Sequence, residues 1–555
     1  MKMKKSAGLA VAAASAAWLL CATAQAGQAS RFHLEEATIA DVHRAIRAKQ
    51  LTATQLVQHY FKRIEAYNGT CVKGGIDAAT GLQLGEITPV ENAGQLNAYM
   101  TLNVRGKRSK TDTADKDPKL PDALEVARAQ DAYFARTGNF VGPLHGIPVA
   151  IKDNYDTVDQ RTTAGAAADY ANDKPPMDAT MVAKLRAAGA IILGKTNLHE
   201  WALGGTTINP FYGTTRNPWD GNRIAGGSSG GSGAAVAATL SLGSVGTDSA
   251  QSVRNPGSMC GIIGLKPTYG RISQYGTVPG TGAYSCNHTG VMTKNVEDAA
   301  IVLQAVAGHD PRDPLSADKP VANYRDSLGH DVKHVRVGIL HGYFEKDMAG
   351  EVKEKFSHAV AVLRRLGMET EDVTIPHMDL IPAVKVCTSR VENSSAHDRN
   401  LRTRPRDYSK QTLYAYLSAL LVPASAYLMA QRVRRIICEE FRELLGRVQI
   451  LALPTVPFTV PTIEECNAGW LNIDGKRIRR QDERGGADSL CAIPFNVTGL
   501  PAMSIPCGFA EAGTPIGMQL AAGPFQEELI LRIAHAYEQA TDWHRRKPKI
   551  TAEQR

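Results

Sequence analysis

Gly226-Gly227-Ser228-Ser229-Gly230-Gly231-Ser232-Gly233 sets three hydroxyls on a glycine-rich backbone, and the helix-forming Ala234-Ala235-Val236-Ala237-Ala238 follows directly. Such a run lets the main chain approach another group closely while it presents serines beside a helix N-terminus. A phosphate-binding P-loop would end in a lysine followed by serine or threonine, and this run does not. A dinucleotide fingerprint would need GxGxxG between a strand and a helix, and both the spacing and the strand are missing. Gly226 to Gly230 does satisfy GxSxG with Ser228 at its centre. That nucleophile elbow works only when an apolar strand delivers the serine, and Pro218-Trp219-Asp220-Gly221-Asn222-Arg223 is no such strand. A flexible linker is the bland alternative, but structured sequence flanks the run on both sides.

Lys152 ends the apolar run 147–151. If that run is a buried strand, the amine is carried inward, loses hydration and becomes a base; otherwise it reaches solvent or pairs with Asp153. His199-Glu200 begins like a zinc HExxH motif, but Leu203 stands where the second ligand would be. No other cluster has metal spacing, and no metal or cofactor is expected.

The elements around these residues read as α/β. Thr38 starts a helical pattern through Val42, Ala45 and Ile46, and Thr52 with Gln55 forms a capping box for a helix to about Tyr67. Residues 68–94 and the charged stretch 105–122 read as surface loops, and 123–135 as a helix. A strand at 147–151, a helix capped by Asp178 and closed by Gly189, and a strand at 190–193 follow. The alternation resumes with a helix at 298–307 and a strand at 335–340, and ends with a strand at 515–520 and a helix at 526–540. The weakly polar run 413–430 contains Pro423 and reads as a helix lining a core or substrate pocket. No repeat is present, and no linker divides the chain.

Composition agrees with a large folded unit: 555 residues, 43% hydrophobic and 21% charged. Lys2, Lys4 and Lys5 precede the apolar stretch 7–22, and Ala24-Gln25-Ala26 follows, the pattern of a signal peptide cut before Gly27. Residues 1–26 are therefore read as signal and 27–555 as the working domain, which lowers the net charge from +8 to +5. That is no nucleic-acid footprint, and the apolar stretch is too short for a membrane span. Eight cysteines remain without any CxxC pair, and their spacing assigns no disulfides.

The glycine-rich run resembles the amidase signature family, and the resemblance extends from about residue 34 to 543. Its GGSSGGS run is followed, 24 positions after the first serine, by a second serine in a GTD…S-[IV]-R-x-P segment, here Ser252 in Gly246-Thr247-Asp248-Ser249-Ala250-Gln251-Ser252-Val253-Arg254-Asn255-Pro256. Lys152 matches the family lysine in Gly142-Pro143-Leu144-His145-Gly146-Ile147-Pro148-Val149-Ala150-Ile151-Lys152-Asp153. The TTRNPWD segment at Thr214, GIIGLKPT at Gly261, FNVTGLP at Phe495 and PIGMQ at Pro515 look like the same family. The resemblance implies an α/β fold, a single α/β/α domain around a large twisted mixed β-sheet.

It further implies that Ser252 is the nucleophile, that Ser228, after a cis peptide bond, bridges Ser252 to Lys152, and that backbone N–H groups of Ser249, Ala250, Gln251 and Ser252 form the oxyanion hole. The family commonly has two glycines where Ala250 and Gln251 stand, so a positive φ there would strain Gln251. Gln251 is read either as a substrate contact or wall of the leaving-group site, or as a packed variant with no special role; Ser229, Ser232 and Ser249 as loop ties; and Asp248 with Arg254 as structural. The expected activity is hydrolysis of linear carboxamides, in the periplasm or outside the cell, on small-molecule or peptide amides. No nucleic acid and no stable membrane insertion are expected, and a homodimer is admitted. The amidotransferase branch of the family is disfavoured by the signal. Specificity is expected in residues 379–445 and in the loops before Lys152. A serine esterase of another triad type and a non-catalytic periplasmic binding protein stand as alternatives, though no histidine has a supporting motif and a binding protein has no need of the three residues.

Overall fold

The computed structural model describes residues 32–68, 72–73, 88–89, 96–167, 172–482 and 485–548. The signal segment with its cut before Gly27, most of residues 68–94, and Cys71 lie outside the described residues. From Thr38 onward the described residues form one compact unit, built on a sheet of 11 strands.

In chain order the strands are β1 (Tyr99–Leu102), β2 (Pro148–Lys152), β3 (Ile191–Thr196), β4 (Gly243–Asp248), β5 (Ile263–Lys266), β6 (His288–Thr293), β7 (Arg336–Leu340), β8 (Glu369–Val373), β9 (Ile450–Pro454), β10 (Ala502–Phe509) and β11 (Pro515–Ala522). Across the sheet they run β8-β7-β9-β11-β10-β5-β6-β4-β2-β3-β1. β2 lies parallel to both β3 and β4, β7 is parallel to β8 and β9, and the other pairs are antiparallel, so the sheet is mixed. Successive strand residues face opposite sides, and every residue of β2, β3, β4, β6 and β11 is buried, so both faces of the sheet are covered. This is the α/β/α arrangement expected from the family pattern.

Twelve longer helices accompany it: α1 (Ile39–Arg47), α2 (Ala53–Tyr67), α3 (Ala123–Thr137), α4 (Thr180–Ala187), α5 (Gly230–Ala237), α6 (Arg254–Cys260), α7 (Val296–Val306), α8 (Gly350–Arg365), α9 (Val391–Thr403), α10 (Lys410–Leu420), α11 (Ala424–Arg447) and α12 (Glu527–Gln539). The Thr52/Gln55 capping box is present, as are boxes at Thr38/Asp41 and Asp122/Glu125.

Three sequence expectations need correction. Asp178 does not cap α4; its carboxylate accepts from Val158 N at 2.9 Å and pairs with Arg186, and the N-cap is Ala179. The stretch 105–122 is no plain surface loop, because it wraps the buried guanidinium of Arg108, which donates to Asp115 and to the carbonyls of Leu120 and Pro121. The run 413–430 lines the cleft that holds Ser252 through Tyr414 and Ala415, as expected, but it is not one helix. It spans α10 and α11, which meet at 91°, and Leu421, Leu428 and Met429 are exposed. No single described helix is long and apolar enough to cross a membrane.

Seven of the described cysteines are free thiols, and Cys260, Cys286, Cys466, Cys491 and Cys507 are buried. Two buried carboxylates hold helix starts together: Asp298 accepts from Ile39 N at 3.0 Å, and Glu538 accepts from Val296 N at 3.0 Å. Burial raises Asp298 to about 7 and Glu538 to about 8. The folded state therefore holds these protons where the unfolded chain has released them, and their stabilisation declines as pH rises from about 4 towards 8. Asp298→Asn keeps an acceptor for Ile39 without a charge. It is expected to flatten the fall in thermal midpoint between about pH 5 and 8, measured by unfolding scans beside wild type; an unchanged slope would contradict the assignment.

Candidate active site

β2 and β4 are parallel neighbours, with Ile151 opposite Val245, so Lys152 and the Thr247-Asp248 end of β4 emerge at the same edge. Lys152 is fully buried. Its Nζ lies 2.7 Å from Ser228 Oγ and 2.9 Å from Thr247 Oγ1. Burial drives the amine well below its ordinary pKa, and the Asp248 carboxylate opposes this only in part. Asp153 is not its counter-ion. That carboxylate pairs with Lys195 at 3.0 Å and takes the Thr163 hydroxyl, which removes the solvent-or-Asp153 reading of Lys152.

Ser228 follows a cis Gly227–Ser228 peptide bond and precedes α5. The glycines are needed for close approach: a Cβ on Gly231 would stand 2.4 Å from Asn197 O and 2.5 Å from Ala98 O. Gly226 has φ +79°, in the left-handed region. Ser229 Oγ donates to Thr247 O at 3.3 Å, Ser232 Oγ to Val245 O at 3.1 Å, and Ser249 Oγ to Asn287 Oδ1 at 2.8 Å, so these three serines tie loops to the frame.

Ser252 sits in the turn between β4 and α6 and lines a cleft of about 190 Å³. Its carbonyl accepts from Ser229 N at 3.2 Å, which joins the two serine segments. The hydroxyls of Ser228 and Ser252 are not hydrogen-bonded to each other, so the structure forms the Lys152–Ser228 link and leaves the second link open. Among the described residues, the N–H groups of Ala250, Gln251 and Ser252 donate to no other group. Neither Ala250 nor Gln251 has a positive φ, so the replacement of glycine carries no backbone strain. Gln251 is buried at the cleft wall, and its carbonyl accepts from Asn255 N.

Asp248 and Arg254 anchor this turn. The pair is fully buried and bidentate, at 2.9 and 3.0 Å, and Asp248 also accepts from Val253 N at 3.1 Å. Arg254 holds the Asp248 carboxyl well below the usual range against its burial. The guanidinium further donates to Asn496 Oδ1 and Gln519 Oε1, so two distant sequence segments converge on the turn that carries Ser252.

Sequence reading missed Thr247 and Asn154, whose amide donates to Thr247 Oγ1 at 3.0 Å and completes the surroundings of Lys152. Thr247 stands inside the Gly246-Thr247-Asp248 segment and Asn154 two positions after Lys152, a signal that could have found them. The cleft wall includes Lys385, Arg390, Asn393, Gln411 and Tyr414, inside the stretch expected to set specificity. It also includes Arg480 and Asp488, which lie outside that stretch, and among the described residues no loop before Lys152 lines it. His199 and Glu200 do not converge on a common point: Glu200 takes the hydroxyls of Ser409 and Thr412.

The Amidase family description matches residues 118–531. A glutamyl-tRNA(Gln) amidotransferase subunit of Moorella thermoacetica is 39% identical over 451 residues, covering 77% of this chain and 89% of its own. A solved chain from a vestigial protein complex that bears on the origins of an s-triazine catabolic enzyme is 30% identical with a TM-score of 0.77, covering 91% of this chain and 98% of its own. A peptide amidase solved with the competitive inhibitor chymostatin is 28% identical with a TM-score of 0.72, covering 93% and 99%. With the family match spanning most of the length and relatives alike from end to end, this chain belongs to the amidase family.

Proposed function

We propose that the chain hydrolyses a linear carboxamide to a carboxylate and ammonia or an amine, with Ser252 as nucleophile. The observation that carries this reading is the 2.7 Å contact between the buried amine of Lys152 and the Ser228 hydroxyl, at the foot of the turn that bears Ser252. With the amine neutral, Ser228 O–H donates to its lone pair and Nζ–H donates to Thr247 Oγ1. Ser252 completes the relay by rotating its hydroxyl towards Ser228, a torsion that costs little at a serine. Ser252 Oγ then bonds to the amide carbon while its proton moves to Ser228 and the Ser228 proton moves to Lys152. The oxyanion takes the N–H groups of Ala250, Gln251 and Ser252, with Ser249 at the edge of the turn. Ser228 returns a proton to the departing nitrogen, the C–N bond breaks, and water releases the acyl group by the same path.

Ser252→Ala is expected to lower kcat by at least about 10³-fold, and Lys152→Ala by a similar order, on a panel of aliphatic, aryl and peptide amides. A serine-directed probe should label wild type and not Ser252→Ala. Near-normal turnover by Ser252→Ala would sink the mechanism, and a chain that turns over no amide and takes no probe would favour the binding-protein reading.

Because the neutral amine is the working form, kcat/KM should fall on the acid side as Lys152 takes up a proton. Thr247→Val removes an acceptor that also stabilises the ammonium, so its acid limb should move to lower pH while kcat drops about tenfold. A pH–rate profile unchanged in position would show that Thr247 only packs.

Residues 1–26 support export to the periplasm or beyond, and the mature chain purified from its own cells should begin at Gly27 by intact mass. A second reading comes from the relative at 39% identity: the chain acts as the corresponding subunit of a glutamyl-tRNA(Gln) amidotransferase. It predicts an unprocessed N-terminus and turnover that depends on companion subunits, whereas the first reading predicts turnover by the isolated chain.

A further inference from the structure

Arg480 and Asp488 flank the short antiparallel pairing of Gln481–Asp482 with Gly485–Gly486. Both line the cleft that holds Ser252, and they are only 7% and 2% exposed. Two opposite charges so deeply buried ordinarily lock together through several short hydrogen bonds, since each is costly to leave unmet. Here they touch through one contact of 3.4 Å, Nη2 to Oδ2. Arg480 Nε and Asp488 Oδ1 have no hydrogen-bond partner among the described residues. Asp488 also stands close to the chemistry. The space beside Gly205 is so tight that a Cβ there would meet Asp488 Oδ2 at 2.3 Å and Gln251 Nε2 at 2.4 Å, which places the carboxylate beside the residue preceding Ser252. The Asp488 carbonyl is held by Asn255 Nδ2 at 3.3 Å, in the same helix start that fixes the nucleophile turn.

A group matching this pair must bring one donor for the carboxylate and one acceptor for the guanidinium, and must itself be neutral where it meets them, because the two charges already cancel. A peptide unit supplies both from one planar group, its N–H to Asp488 and its C=O to Arg480. A free ammonium would satisfy Asp488 and leave Arg480 unmet, and a carboxylate would face Asp488 with like charge. The scissile amide cannot serve, because its carbonyl is engaged at the oxyanion donors. We propose that Arg480 and Asp488 determine specificity by recognising a second, peptide-like amide in the substrate. The proposal rests on the hydrolase reading above and narrows its substrate to amides such as N-acylated amino-acid amides.

The test compares kcat/KM for an N-acetyl amino-acid amide, the same amino-acid amide with a free amine, and an aliphatic carboxamide of equal size. Wild type should prefer the N-acetyl substrate, and Asp488→Asn and Arg480→Gln should each lower that preference about 10- to 100-fold through KM, with a much smaller loss on the aliphatic amide. Equal losses on all three substrates would mean a merely structural pair and overturn the proposal, as would an unchanged preference. Calorimetry separates this from the hydrolase reading. N-acetyl amino-acid amide binding to Ser252→Ala, which needs no turnover, should weaken about 10-fold or more when Asp488→Asn is added. Equal binding with and without that second substitution would overturn it, whatever the activity of the wild type.

Discussion

A cation that cannot find water inside a protein must find a carboxylate or give up its proton, and the arrangement around Lys152 turns on which of these happens. Lys195, on the neighbouring strand β3, is equally buried and has Asp153 at 3.0 Å. Lys152 has hydroxyls instead, from Ser228 and Thr247. The same residue type on adjacent strands thus has opposite surroundings, a carboxylate for one and hydroxyls for the other, and burial draws the second amine well below its ordinary pKa.

Topology brings the remaining parts to that amine. Because β2 and β4 are parallel neighbours, their C-terminal ends open at one edge of the sheet, where ligand sites of α/β folds commonly lie. The chain leaving β4 turns at once into α6, and Arg254 at the start of that helix is gripped by Asp248 at the end of the strand. The Ser252 turn is thus closed at both ends by one ion pair, on which β11 through Gln519 and the segment holding Asn496 also converge. The glycines of the 226–233 run let the Ser228 loop lie against Asn197 and Thr207 without side chains between them.

Much of this was legible in the sequence because it is local or carried by motif. The Thr52/Gln55 box needs only its own four residues, and the buried strand of Lys152 follows from an unbroken apolar run. What escaped was decided by distant partners. Asp178 looks like a helix cap, yet Val158 and Arg186 outcompete the helix for its carboxylate. Charged residues at 105–122 look solvated, yet Arg108 is enclosed by the carbonyls of its own loop and by Asp115. Pro423 looks like an interruption within one helix, yet it caps the start of a second at a steep angle. No spacing encodes whether the hydroxyls of Ser228 and Ser252 meet, and the cleft wall at Arg480 and Asp488 comes from a segment the motifs do not mark.

The buried thiols have a consequence of their own. Cys260, Cys491 and Cys507 are enclosed, and burial pushes each thiol far above its ordinary range, so almost no thiolate exists while the chain is folded. Alkylating reagents and disulfide exchange both act on the thiolate, so these side chains are silent until the structure around them opens. The molecule thereby carries internal clocks: in excess alkylating reagent, the rate at which each of these cysteines is capped reports how often its own part of the sheet comes apart, Cys260 at the end of α6 and Cys507 within β10.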